Sequence, residues 1–170
     1  MKNIEAPFQS PFLLLFTKST LVLLVVLIFS HGAVSYAQET WQWIYKDDTC
    51  IVYADFTTLN VWDKSEGDCA DIYTMTNLSN LGRKELLTGR EISNKSITGW
   101  ETVSTIVTRQ LFLLKDRKVQ MMTVTYYDSA GKVLEEDKYA YAPDRWMPLR
   151  PVERSQKVYD IIVNIAKNTK

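Results

Sequence analysis

Four groups of residues in this chain are of types that could do chemistry. Ser129-Ala130-Gly131-Lys132 matches the Ser-x-x-Lys string of penicillin-binding enzymes, in which a lysine one helical turn away activates a nucleophilic serine. That chemistry needs a helix. Here Asp128 precedes the string and Gly131 sits within it, the composition of a type I turn closed by a left-handed glycine, so serine and lysine straddle a bend. Asp63, Glu66, Asp68 and Asp71 could offer carboxylates to calcium, but the alternating acidic spacing of a calcium loop is absent and the stretch reads as a wet acidic loop. Lys115, Arg117 and Lys118 form a basic knuckle that reads as a solvated turn. Cys50 and Cys69 are the only two cysteines.

The one histidine, His31, falls in an N-terminal segment built like an export signal. Lys2 and Lys18 supply positive charge, Leu21 to Phe29 is unbroken apolar, and Ser35-Tyr36-Ala37 places small residues three and one before a cut at Gln38. The run from Leu21 is about half the roughly 20 residues a spanning helix needs, so residues 1–37 read as a cleaved signal peptide and not as an anchor. Membrane contact is then confined to the uncleaved leader, and the product is exported to the periplasm, the cell surface or the medium. Residues 38–170 read as one domain without histidine, hence without the commonest general base and metal ligand. No catalytic residue, metal site or cofactor is assigned, and the chain reads as a non-enzyme. Residues 38–170 keep 18 of the 20 Lys+Arg and 19 of the 20 Asp+Glu, a net charge of −1, which argues against nucleic acid as a partner.

Export bears on the two thiols. In an oxidising compartment an isolated cysteine pair is commonly bridged, yet a hairpin turning near Lys64 would set Cys50 opposite residues near Leu78, too far from Cys69 for a disulfide. A Cys50–Cys69 bridge and two free thiols both stay open on sequence alone.

The elements that must position these groups are mostly strands. Trp41 to Tyr45, Cys50 to Ala54, Asp71 to Asn77 and Glu101 to Leu114 read as four, and Asp55 to Leu59 as a short helical turn, because Asp and Thr compete for local backbone donors. A hairpin from Val119 closes at the Asp128 turn, with Tyr127 facing Val133, Tyr126 facing Leu134 and Met121 facing Tyr139. Glu135, Glu136, Asp137 and Lys138 charge both sides of its second strand, which marks an edge. Residues 79–98, with Gly82 and Gly89, read as a polar connection. After Pro148 and Pro151, Val158, Ile161, Ile162 and Ile165 share one helical face, with Lys157, Asp160, Asn164 and Lys167 off it. The expected fold is α+β: one antiparallel sheet of about five to six strands packed against a single C-terminal helix.

The export signal, Trp41-x-x-Ile44, Tyr53-Ala54-Asp55, Tyr126-Tyr127-Asp128-x-x-Gly131-Lys132-Val133 and Trp146-x-Pro148-x-x-Pro151 together resemble the bacterial surface-adhesin E family. The resemblance covers most of residues 41–167. It implies a helix-backed antiparallel sheet, export by a bacterium, and adhesion to host matrix proteins or epithelial cells. Relatives often carry a cysteine near the last helix; this chain has none there, and no binding residue is carried across.

Thirteen of the fifteen aromatics in residues 38–170 are Trp or Tyr, rings with a polar handle that suit a half-wet sheet face or a contact surface. The leading expectation is a non-enzymatic binding or adhesion module contacting host matrix or envelope proteins. The alternative is a periplasmic small-ligand or accessory domain whose sheet face holds an apolar molecule, and the third is an enzyme working through Asp, Glu, Tyr or Lys alone.

Overall fold

The computed structural model describes residues 40–63 and 67–169. The leader, the Ala37–Gln38 cut, Lys64 and Glu66 lie outside the described residues.

The turn at Asp128 forms as its composition dictates. Asp128 Oδ1 accepts from the N–H groups of Ala130 at 2.9 Å and Lys132 at 2.8 Å, and Gly131 closes the bend at φ +80°, where a side chain would be strained. It joins β5 (Lys118–Asp128) to β6 (Val133–Lys138). Tyr127 faces Val133 as expected, but the register then slips, and Tyr126 faces Glu135, not Leu134. A bulge absorbs the extra residue. Met121 lies opposite Gln110, and it is Met122 whose carbonyl accepts from the Tyr139 N–H, at 2.8 Å.

The remaining strands are β1 (Trp41–Lys46), β2 (Cys50–Trp62), β3 (Cys69–Leu78), β4 (Val103–Leu113) and the two-residue β7 (Met147–Pro148). They run β1-β2-β3-β4-β5-β6 in chain order, every pair antiparallel, with β7 beside β5 after β6 ends, so the sheet has seven strands. The charged β6 is an edge. The helical turn expected at Asp55–Leu59 is instead an irregular stretch of β2, where the register jumps between Asp55 and Asn60. The local competition for donors is present: Asp55 Oδ1 accepts from both the N–H and the hydroxyl of Thr57, and the Thr58 hydroxyl donates to the Asp55 carbonyl. Those bonds bulge the strand without ending it.

Among the described residues two α-helices form where one was expected. α2 (Glu153–Asn168) is the expected C-terminal helix. Its buried stripe is Val158, Tyr159, Ile162, Val163 and Ala166, rotated slightly from the expected isoleucine face, so that Ile161 and Ile165 are only half-buried. It packs on β1, β2 and β3 over Ile44, Val52, Ala54 and Ile72. A fully buried Ile or Val there contributes about 1.5–3 kcal/mol.

α1 (Asn80–Ile92) replaces the expected polar connection between β3 and β4. Ser79 is its N-cap: the hydroxyl accepts from Gly82 N–H at 3.2 Å and donates to the Asp48 carbonyl at 2.7 Å. Gly82 is there for close approach, since a Cβ on it would lie 2.1 Å from the Thr49 carbonyl oxygen. At the other end Arg90 lies over the Trp100 ring, 3.3 Å from its centroid, and pairs with Glu135 at 3.0 Å; Trp100 in turn meets Tyr126 at 5.0 Å. α1 therefore runs from the start of β2 to β6. The described residues from 40 onward belong to one compact unit, Glu39–Lys170.

Candidate functional site

Six strands about 4.8 Å apart span roughly 24 Å, whereas one helix with its side chains is about 10 Å wide. α2 alone cannot cover the sheet. It covers the β1–β3 side, α1 crosses one end, and the middle of β3, β4 and β5 stays open between them.

Strand pairing fixes which side chains form that floor. Val52, Thr76, Ile106 and Tyr126 lie in one cross-strand row, Thr74, Thr108 and Val124 in the next, and Gln110 with Met121 in a third. The walls are Gly82, Glu85 and Leu86 of α1, Ser155 and Val158 of α2, and the extended segment Met147–Arg150. Together they bound a half-open cleft of about 610 Å³, inside the range of about 300–1,000 Å³ usual for small-molecule sites.

The floor is apolar but not uniformly so. Gln110 is 8% exposed, and its amide nitrogen donates to Thr74 Oγ1 at 2.9 Å. Burial, followed by the nearby Asp137 and Glu135 carboxylates, pushes the Tyr126 phenol pKa up, so it stays neutral. At the mouth Arg154 reaches Asp47 at 3.6 Å and the Cys50 sulfur at 3.0 Å, and Arg150 is exposed. Two guanidiniums stand there against Asp47 and Glu85, leaving the rim close to neutral.

The chemistry-bearing residues of the sequence are not brought together. Ser129 and Lys132 occupy the β5–β6 turn, where Ser129 N–H donates to the Thr102 carbonyl. Arg117 ion-pairs with Asp160 at 2.6 Å and lies over the Tyr159 ring, so the basic knuckle anchors α2. Asp71 is no part of a wet loop: 5% exposed, it takes Arg109 Nε on Oδ1 at 3.0 Å and Nη2 on Oδ2 at 2.6 Å. The Cys50–Cys69 bridge does not form. Both side chains are buried and no disulfide joins them; Cys50 pairs with Leu78 and Cys69 with Trp62, nine residues of β3 apart and on opposite faces. That is roughly 30 Å, against the 4.4–6.8 Å between Cα atoms that a disulfide spans. Burial pushes the Cys50 thiol up despite the Arg154 cation beside it, which makes it a poor nucleophile.

The opposite face of the sheet carries no helix among the described residues. One row reads Trp43, Tyr53, Met75, Val107, Thr125 and Glu136; the next reads Trp41, Asp55, Tyr73, Arg109, Thr123 and Lys138. Trp43 is 63% exposed. The sequence foresaw half-wet aromatics on a sheet face, but not the cleft. Its signal was the threonines and glutamine alternating into β3 and β4 where a fully covered face would be aliphatic.

The fold and site define an α+β domain, an antiparallel meander with both helices on one face and a cleft between them. Neither a family model, a curated protein nor a solved structure matches the chain.

Proposed function

We propose that the chain is an exported, non-enzymatic binding or adhesion module of the bacterial envelope or surface that contacts protein partners. The observation that carries this reading is the helix-free face, where Trp43 is exposed beside Tyr53 and the Asp71–Arg109 pair lies near Tyr73. Trp, Tyr and Arg are the side chains that dominate protein interfaces, because each offers a large contact area together with a hydrogen-bonding end. Near-neutral net charge favours neither a polyanion nor an anionic membrane. The adhesin resemblance and the export signal point the same way. The protein purified from residue 38 onward is expected to bind immobilised matrix proteins or envelope proteins saturably, and Trp43→Ala with Tyr73→Ala to weaken that binding at least tenfold. Absence of saturable binding across such a panel overturns the reading.

The cleft favours a second reading, that of a periplasmic small-ligand or accessory domain. It uses the other face of the sheet and does not compete with the first for residues.

A further inference from the structure

Another hollow lies between α2 and the turn that joins β4 to β5. We propose that it binds a single tetrahedral oxyanion, of the phosphate or sulfate type, through Lys115, Arg117 and Lys167. The inference goes beyond both readings above, since it uses neither the helix-free face nor the cleft.

Three observations set this chemistry. The first is charge. Asp160, Asn164 and Lys167 recur at helical spacing along one stripe of α2, and Leu114, Lys115 and Arg117 of the turn line the same hollow of about 280 Å³. Three cations and one carboxylate therefore border it. That carboxylate, Asp160, already pairs with Arg117 at 2.6 Å, and neither lysine forms an ion pair among the described residues. Asp116 of the same turn is exposed and lies outside the lining. Cations set side by side repel, and a multivalent anion between them relieves that repulsion. The second is the backbone. Arg117 stands at φ +45°, the left-handed region where glycine or asparagine is usual, so a long cation is kept at a strained position. Its N–H donates to the Tyr159 hydroxyl and its guanidinium lies over the Tyr159 ring, so the contacts that anchor α2 also hold this charge at the rim. The third is the donor set. The floor residues Leu114, Tyr159 and Val163 are buried, and the Tyr159 hydroxyl donates to the Leu113 carbonyl at 2.7 Å. Binding falls to the ammonium, guanidinium and Asn164 amide groups of the rim. Donors from two sides of a hollow suit a group with three or four acceptor oxygens better than a planar carboxylate with two. The volume, just under the usual small-molecule range, holds such a group with bridging waters.

The test is a chemical-shift titration of the isotope-labelled full chain with sodium phosphate or sodium sulfate at constant ionic strength. Saturable shifts are expected in the amides of residues 114–117 and 159–167, with a dissociation constant of about 1 mM or below. Lys115→Gln and Lys167→Gln, both at exposed positions, should each weaken binding about threefold. Asn164→Glu puts a carboxylate on the α2 stripe and should abolish it. Sodium acetate should bind about tenfold more weakly than sulfate. Glycerol phosphate separates the two sources of the group: affinity equal to that of free phosphate assigns the site to an ester, and about a tenfold loss assigns it to the free ion. No saturable shift with either anion, or undiminished affinity in the folded variants, overturns the site. Acetate binding as tightly as sulfate overturns the ligand class alone.

Discussion

The two faces of the sheet are made from the same strands, yet they solve opposite problems. On the helix-bearing face, Val52, Ala54, Ile72 and Phe112 alternate inward beneath α2 and are almost wholly dry. On the other face the residues between them are Tyr53, Asp55, Tyr73 and Leu111, and the central part of that face relies on rings with polar handles and on the Asp71–Arg109 pair. Strand periodicity of two lets one segment satisfy both demands. The lesson is about covering. Where α2 excludes water the face is aliphatic; on the other face the stretch around Tyr53, Tyr73 and Arg109 is amphipathic, while Leu111 and Leu113 at its far end are as dry as the residues under α2. The cleft is the intermediate case, a floor half-covered and accordingly one-third threonine, at Thr74, Thr76 and Thr108.

The largest test of this contrast is a pair of truncations. Ile162 is 0% exposed at the centre of the α2 contact, so Ile162→Ala should cost about 2–5 kcal/mol in urea unfolding, through lost transfer energy and the cavity left behind. Trp43→Ala removes a larger side chain from the helix-free face and should change stability by no more than about 0.5 kcal/mol. Comparable losses would mean that both faces are structurally covered. Next in size is Asp71→Ala, which strips Arg109 of a two-bond carboxylate partner. Because the guanidinium is one-third exposed, water replaces part of the loss, and the expected cost is about 1.5–3 kcal/mol by the same measurement. A negligible change would reduce that pair to surface decoration.

Much of this arrangement was legible in the sequence. The Asp128 turn, the edge character of β6, the six main strands and the C-terminal helix follow from local composition, because turn chemistry and strong periodicity act over a few residues. What escaped was set at longer range. α1 was hidden by Gly82 and Gly89, poor helix formers whose presence argues for a loop. Gly82 is required by the Thr49 carbonyl, 33 residues earlier in the chain, and nothing local announces that. Asp71 looked like one of several loop carboxylates until strand pairing placed it diagonally across from Arg109. The cleft could not be located without α1, since α1 is one of its walls. The Cys50–Cys69 question was correctly posed as geometry, and the pairing of Cys50 with Leu78 decided it.

Smaller effects probe the walls that divide the faces. Ser79→Ala removes the α1 cap and should cost about 1 kcal/mol, seen as a lower urea midpoint. It should also loosen the cleft wall, measured as faster amide exchange in the first turn of α1; unchanged exchange would separate the cap from the wall.

The smallest effect is a pH dependence where α2 meets the β1–β2 turn. Burial raises the pKa of the Asp47 carboxyl, but donations from the Thr49 hydroxyl and from the N–H groups of Thr49 and Cys50, with the Arg154 cation, outweigh it and hold the pKa below the ordinary 3.8. A carboxyl whose pKa is lowered by folding contributes stability that is complete above its unfolded value and is lost as pH falls through the folded one. Asp47→Asn keeps an acceptor oxygen and loses the charge, so its urea midpoint should lie below that of the unsubstituted chain at neutral pH. The gap should close on acidification below about pH 4, because both proteins then carry an uncharged group at this position. A gap that stays constant down to about pH 3 would show that residue 47 acts by shape alone, and that the Arg154 contact does nothing to seat α2 on its face of the sheet.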